Sequence, residues 1–179
     1  LLLAPLVAGI SGLDPRLAAF AALSAILWDA INDPLIGTLS DNVRTRWGRR
    51  RPFFLWFSIP FGLAFLVLWW APPWESQWLL MLTVTLAYML SDTIQTLVTV
   101  PYLALTPEIA PGYDERTSLT SYRMFFNLAA SLTTVVAAPT IVDLAINAGL
   151  SQQRGYLLVA GLFGIMAVIP FMLLFFTIR

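Results

Sequence analysis

Five long apolar runs, at about residues 17–39, 53–71, 78–103, 119–145 and 156–178, are separated by short polar breaks, most of which contain proline. A helix needs about 20 such residues to cross a hydrocarbon core, and each run is close to that length or beyond it. A helix also satisfies its own backbone in lipid, so the chain reads as an all-α integral membrane bundle. Composition agrees: 59% of residues are hydrophobic and 11% charged, far from the balance of a soluble domain. The mean hydropathy is +0.79. Residues 1–10 are apolar but too short to span, and read as the tail of a further helix that would bring the count to six. No internal repeat and no low-complexity linker divides the 179 residues, so one bundle is expected over 1–179. With no Cys and no His, the chain has no disulfide, no thiolate or imidazole metal site, and neither of the commonest catalytic side chains.

Charge placement sets the orientation. Arg44, Arg46, Arg49, Arg50 and Arg51 crowd the break after the 17–39 run, whereas residues 72–77 carry no basic side chain. Cytoplasmic loops collect arginine, so the Arg-rich break is expected inside and residues 72–77 outside. The break at 107–118, with Arg116, is then cytoplasmic, as is Arg179. Trp69, Trp70, Trp74 and Trp78 fall where an outer aromatic belt belongs.

Within the 17–39 run stand two acids and an amide, Asp29, Asn32 and Asp33. A charge at the bilayer centre costs about 2.5–3.5 kcal/mol on insertion scales, which makes intramembrane acids functional candidates. Residues three and four apart share a helical face, so all three side chains do. With the helix centred near Trp28, Asp29 lies close to the midplane and Asp33 about 7 Å nearer the cytoplasm. Asp92, Thr96 and Thr99 descend one face of the 78–103 span through similar depth, and Arg123 approaches that level from the 119–145 span. These hydrophilic side chains from three helices are therefore expected in one slab. At about 6 Å and an effective dielectric of about 20, two carboxylates repel by about 2.8 kcal/mol. Such a pair holds a proton or recruits a cation. Hard cations take oxygen ligands, so Asp29 and Asp33 supply charge, Asn32 and Thr96 supply neutral oxygens, and sodium and proton both fit. The structural alternative pairs one Asp with Arg123 and leaves another facing water.

Three segments carry a family resemblance: WDAINDPLIGTLSD, the following RTRWGRRRPFF, and VPYLALTPEIAPGYDERTSLTSYRMFF. They are similar in order and spacing to the glycoside-pentoside-hexuronide:cation symporters, the melibiose permease group of the major facilitator superfamily. The resemblance implies an N-terminal six-helix bundle, with its first helix largely missing, that works with a C-terminal six-helix half. It further implies alternating-access symport of a sugar-like solute with sodium, lithium or a proton, in a bacterial inner membrane. Asp29, Asn32, Asp33 and Thr96 fall on the family's cation site, with Asp29 and Asp33 as its sodium-binding acids. One galactoside-binding Asp of melibiose permease lies on the missing first helix; the other corresponds to Thr99. Asp92 is an acid outside the melibiose pattern and a partial substitute for it. Thr99, Asp92, Arg123 and Tyr102, with Tyr88 nearby, are the expected solute contacts. Gly37, Asp41, Arg46, Gly48, Arg49, Arg50 and Arg51 resemble the superfamily's cytoplasmic signature, whose Asp–Arg cluster breaks and reforms as the bundles rock. The alternative is that these arginines set topology and meet anionic headgroups.

No cofactor beyond the co-transported ion is expected. Lipid, a small sugar-like molecule and a monovalent cation are the expected partners; nucleic acid is not. A channel would need a continuous polar pore, and the spans at 53–71 and 156–178 are nearly all apolar. A membrane enzyme would need a nucleophile and a base, and no motif supports one. Transport of a lipid or other amphiphile by a relative of the same superfamily is the closest alternative, with a non-transporting truncated bundle behind it.

Overall fold

The computed structural model describes residues 13–70 and 74–177. Five helices make up its regular structure: α1 (Pro15–Asn42), α2 (Arg51–Leu68), α3 (Gln77–Ile109), α4 (Tyr113–Asn147) and α5 (Gln152–Thr177). All five are long and apolar enough to cross a membrane. The helix remnant expected at residues 1–10 lies outside the described residues, and so does Arg179.

Local chemistry accounts for the ends. Asp14 caps α1 by accepting the Arg16 amide at 2.8 Å, and Pro15 occupies the first turn, where its missing N–H costs nothing. Gly48 closes the turn before α2 at φ 99°, a left-handed conformation that suits glycine. The Thr45 and Gly48 amides and carbonyls bond reciprocally across that turn. At α4, Glu115 reaches back to accept the Gly112 amide at 3.2 Å.

The break expected at 107–118 is much shorter than the sequence suggested. α3 continues to Ile109 and α4 begins at Tyr113, leaving only residues 110–112 between them. Pro107 forfeits a single helical bond, and the Ala110 amide still bonds the Thr106 carbonyl at 3.0 Å. At about 1.5 Å per residue the 33 residues of α3 span about 50 Å, well beyond the hydrocarbon thickness, so polar end turns remain helical outside it.

The packing order is α1, α3, α2, α5, α4, with only a slight direct contact between α3 and α4. α2 and α5 meet most closely at Gly62 and Gly164, where a Cβ on Gly62 would stand 2.8 Å from Val168 Cγ2 and 3.1 Å from the Gly164 oxygen. Small residues let transmembrane backbones approach in this way. Beside that crossing, Phe54, Val98, Leu105 and Phe175 form the main core cluster. A second cluster stacks Trp69 on Tyr156, centroids 5.6 Å apart. α4 stands apart. It buries only Val142 and Ala145, near its C-terminal end, and most of its side chains before residue 137 are exposed.

Candidate functional site

The α1–α3 seam is polar where the sequence placed its acids. Trp28 and Asn32 are one helical turn apart and both reach α3. The Trp28 indole donates to Thr93 Oγ1 at 2.9 Å, and Thr93 in turn donates to the Met89 carbonyl. The Asn32 amide donates to Asp92 Oδ2 at 3.4 Å. Asn32 is 5% exposed, so its amide is held inside the seam. A buried amide without a partner would cost about 1–3 kcal/mol, which fixes the register of α1 against α3.

Asp29 and Asp33 flank Asn32 on the exposed side of α1. Both stand near the Asp92 carboxyl across the seam. Thr96, one turn beyond Asp92, is 6% exposed, and Thr99 is half-buried. All the side chains expected in one slab except Arg123 thus lie on two adjacent helices. Arg123 is not brought to them. Its guanidinium lies 5.8 Å from the Tyr102 ring centroid, and no ion pair joins it to any of the three acids. Tyr102 and Arg123 line a separate cleft between α3, α4 and α5. Tyr88 packs against the Leu68, Trp69 and Ala160 cluster, away from the acids.

The Arg-rich end forms a second constellation. Arg50 Nη2 bridges Asp41 at 3.3 Å and Glu108 at 3.4 Å, tying the ends of α1 and α3 to the start of α2. Arg51 Nη2 donates to the Phe175 carbonyl at 2.6 Å and lies over the Phe175 ring at 5.2 Å. A cation at the N-terminus of its own helix is unfavourable. At the C-terminal carbonyls of α5 it is favourable, and the contact satisfies an acceptor that the helix leaves open. Trp47 meets Phe175 edge-on at 6.1 Å, and Arg46 covers Trp47 at 4.5 Å. Arg49 and Gly48 are exposed on the turn, and a Cβ on Gly37 would have nothing within 4 Å. Of the expected gating residues, Asp41 and Arg50 therefore pair directly, and Arg46 and Arg51 are drawn into an aromatic clamp.

Sequence reasoning missed Glu108, Trp28, Thr93, Trp47 and Phe175. An acid in the last turn of a helix facing an arginine loop was a usable signal for Glu108.

A family model described as MFS/sugar transport protein matches residues 1–179. The chain belongs to that family. It is similar to a putative glycoside/cation symporter of Escherichia coli, 33% identical over 99% of this chain and 38% of the relative. An isoprimeverose transporter of Lactiplantibacillus pentosus is 28% identical over 93% of this chain and 34% of the relative. A sodium-dependent lysophosphatidylcholine symporter of Danio rerio is 35% identical over 76% of this chain and 25% of the relative. The chain spans between a quarter and two-fifths of the length of these relatives. Family and helices together make it a multi-pass integral membrane protein with glycoside/cation symporters among its homologues.

Proposed function

We propose that this chain is the cation-binding part of a symporter that carries a sugar or glycoside with sodium or a proton by alternating access. The observation that carries the proposal is the Asn32–Asp92 bond with Asp29 and Asp33 beside it, three acids and an amide on two facing helices inside membrane spans. Among the described residues the ion pairs formed are those of Arg50 with Asp41 and Glu108, and in this reading the transported cation supplies the counter-charge of the three acids. Asp29 and Asp33 provide its charge, Asn32 and Thr96 its neutral oxygens. Binding the ion relieves the repulsion among the acids and so favours the conformation in which they face each other. That difference in affinity between two states is what couples an ion gradient to movement.

The solute meets the same face through Thr99 and the outer oxygen of Asp92, groups that suit hydroxyls. The rest of the site comes from a C-terminal bundle, and Arg50 with Asp41 and Glu108 forms the cytoplasmic latch between helix ends. The inner membrane of a bacterium is the setting, with residues 44–51 in the cytoplasm.

The similarity to lysophosphatidylcholine symporters favours a second reading, an amphiphile as the solute. Gradient-driven uptake by the complete transporter in proteoliposomes separates the two. Radiolabelled glycosides should accumulate under an inward sodium or proton gradient, and Asp29→Asn and Asp33→Asn should abolish accumulation at normal protein levels. Uptake of a lysophospholipid with none of any glycoside would establish the second reading. Normal accumulation in both variants would remove the acids from the coupling site.

A further inference from the structure

We propose that Trp28 and Thr93 are positioning residues of the cation site: their bond fixes the rotation of α1 on α3 so that Asp29, Asn32 and Asp33 present their oxygens together to an alkali cation, a role that rests on the symport reading above. Among the described residues α1, which carries these three side chains, packs mainly on α3. Its orientation about its own axis is therefore decided at one seam. The first half of that seam is alanine. Ala18, Ala21 and Ala25 are buried, and small side chains of this kind let helices approach closely without giving them a direction. The next turn brings Trp28, and the turn after it Asn32, each with a polar bond to α3. The other ties of α1, the Asp14 amide to Gln77 Oε1 at 3.0 Å and Asp41 to Arg50, are at its ends, each about 20 Å along the helix from Trp28.

The two central bonds have a fixed sense. An indole N–H can only donate, and Thr93 commits its one hydroxyl hydrogen to the Met89 carbonyl at 2.8 Å, so toward Trp28 Nε1, 2.9 Å away, it can only accept. A carboxylate accepts, so the Asn32 amide nitrogen turns to Asp92 and its Oδ1 is the atom left for a ligand. α3 is itself held, because the Ser91 hydroxyl donates to the Ala64 carbonyl of α2 at 2.9 Å. Three consecutive residues, Ser91, Asp92 and Thr93, thus bind α2 and α1 to α3 at one level. The tolerance for error is small. A helix with its side chains is about 10–12 Å across, so turning α1 by about 20° carries a carboxylate about 2 Å. Oxygen ligands stand about 2.3–2.6 Å from a hard cation, and a displacement of that size removes one. Without Thr93 Oγ1 the indole N–H has no acceptor at the seam, and α1 is free to turn.

The test is protection of Asp29 from dicyclohexylcarbodiimide, a reagent for carboxyl groups in apolar surroundings, in the complete transporter, with adducts mapped by mass spectrometry at increasing NaCl or LiCl. Both salts should protect the native protein, and Asp33→Asn should end that protection. Thr93→Val, which keeps the shape and loses the acceptor, should need about 10–100-fold more sodium and should change the ratio of sodium to lithium required, since a displaced ligand alters the size of the site. Trp28→Phe should do the same, and Thr93→Ser, which keeps the hydroxyl, should behave as the native protein. Should Trp28→Phe fail to fold, the Val and Ser variants of Thr93 still decide the matter. Native concentrations and ratio in Thr93→Val, with protection lost in Asp33→Asn, would overturn the positioning role and leave the symport reading standing. Equal weakening for both ions together with a lowered unfolding midpoint would also overturn it, since Thr93 would then be a fold contact only. Protection undiminished in Asp33→Asn, or none in the native protein, would remove the alkali-cation site itself and the positioning role with it.

Discussion

Adding one methyl group at Gly62 tests the α2–α5 crossing. A Cβ there stands 2.8 Å from Val168 Cγ2 and 3.1 Å from the Gly164 oxygen, against an optimal carbon–carbon separation of about 3.5–4.0 Å. Neither neighbour yields easily. Valine has essentially one χ1 rotamer in a helix, and the Gly164 oxygen belongs to the α5 backbone. The helices must separate, which loosens Phe54 and Phe171, stacked across the same interface with centroids 6.2 Å apart. Overpacking of this kind costs about 1–3 kcal/mol. Replacing glycine in a helix returns about 1 kcal/mol, so Gly62→Ala should be destabilised by about 0–2 kcal/mol and Gly62→Leu by more. Gly37→Ala is the control. Nothing lies within 4 Å of its Cβ, so only the helix-propensity gain remains. The two alanine variants should thus differ by about 1–3 kcal/mol, or roughly 2–12 °C in unfolding midpoint. Tryptophan fluorescence during thermal unfolding in detergent reads this, because Trp69 stacks on Tyr156 across the same pair of helices. Midpoints for Gly62→Leu and Gly37→Ala within about 1 °C of each other would refute the close crossing.

Other consequences can be checked separately. The chain has no native cysteine, so Thr45→Cys and Ser76→Cys can be labelled in intact cells with an impermeant maleimide. Ser76→Cys should react and Thr45→Cys should not; the reverse pattern would invert the orientation. Arg51→Ala removes a charged donor from the Phe175 carbonyl and should lower stability by about 1.5–3 kcal/mol in equilibrium unfolding, with an unchanged midpoint showing that the clamp contributes nothing. In a double-mutant cycle, Arg50→Gln and Glu108→Gln should couple by about 0.2–1 kcal/mol, because Glu108 is half exposed; additivity would dissolve the latch.

The spans were legible because lipid leaves a chain little freedom: an apolar run of sufficient length has to be a helix. Their ends were not, since Ile109 and Tyr113 lie past the hydrocarbon, where hydropathy stops marking the boundary. The shared face of Asp29, Asn32 and Asp33 follows from helical spacing alone. Which neighbour Asn32 meets does not, because the register of α1 on α3 is set between helices by Trp28 with Thr93 and Asn32 with Asp92. Arg123 illustrates the same limit. Depth along a helix can be counted in residues, but direction around the bundle cannot, and Arg123 faces the α3–α5 cleft rather than the acids.

Direct cation binding tests the coupling site most closely. Sodium or lithium can be titrated calorimetrically into the purified protein in parallel with proton release, for the native chain, Asp33→Asn, and Asp41→Asn, an acid on the same helix that pairs instead with Arg50. The account predicts saturable binding or proton exchange that Asp33→Asn eliminates and Asp41→Asn leaves intact. Undiminished binding in Asp33→Asn, or its loss in Asp41→Asn alone, would contradict it.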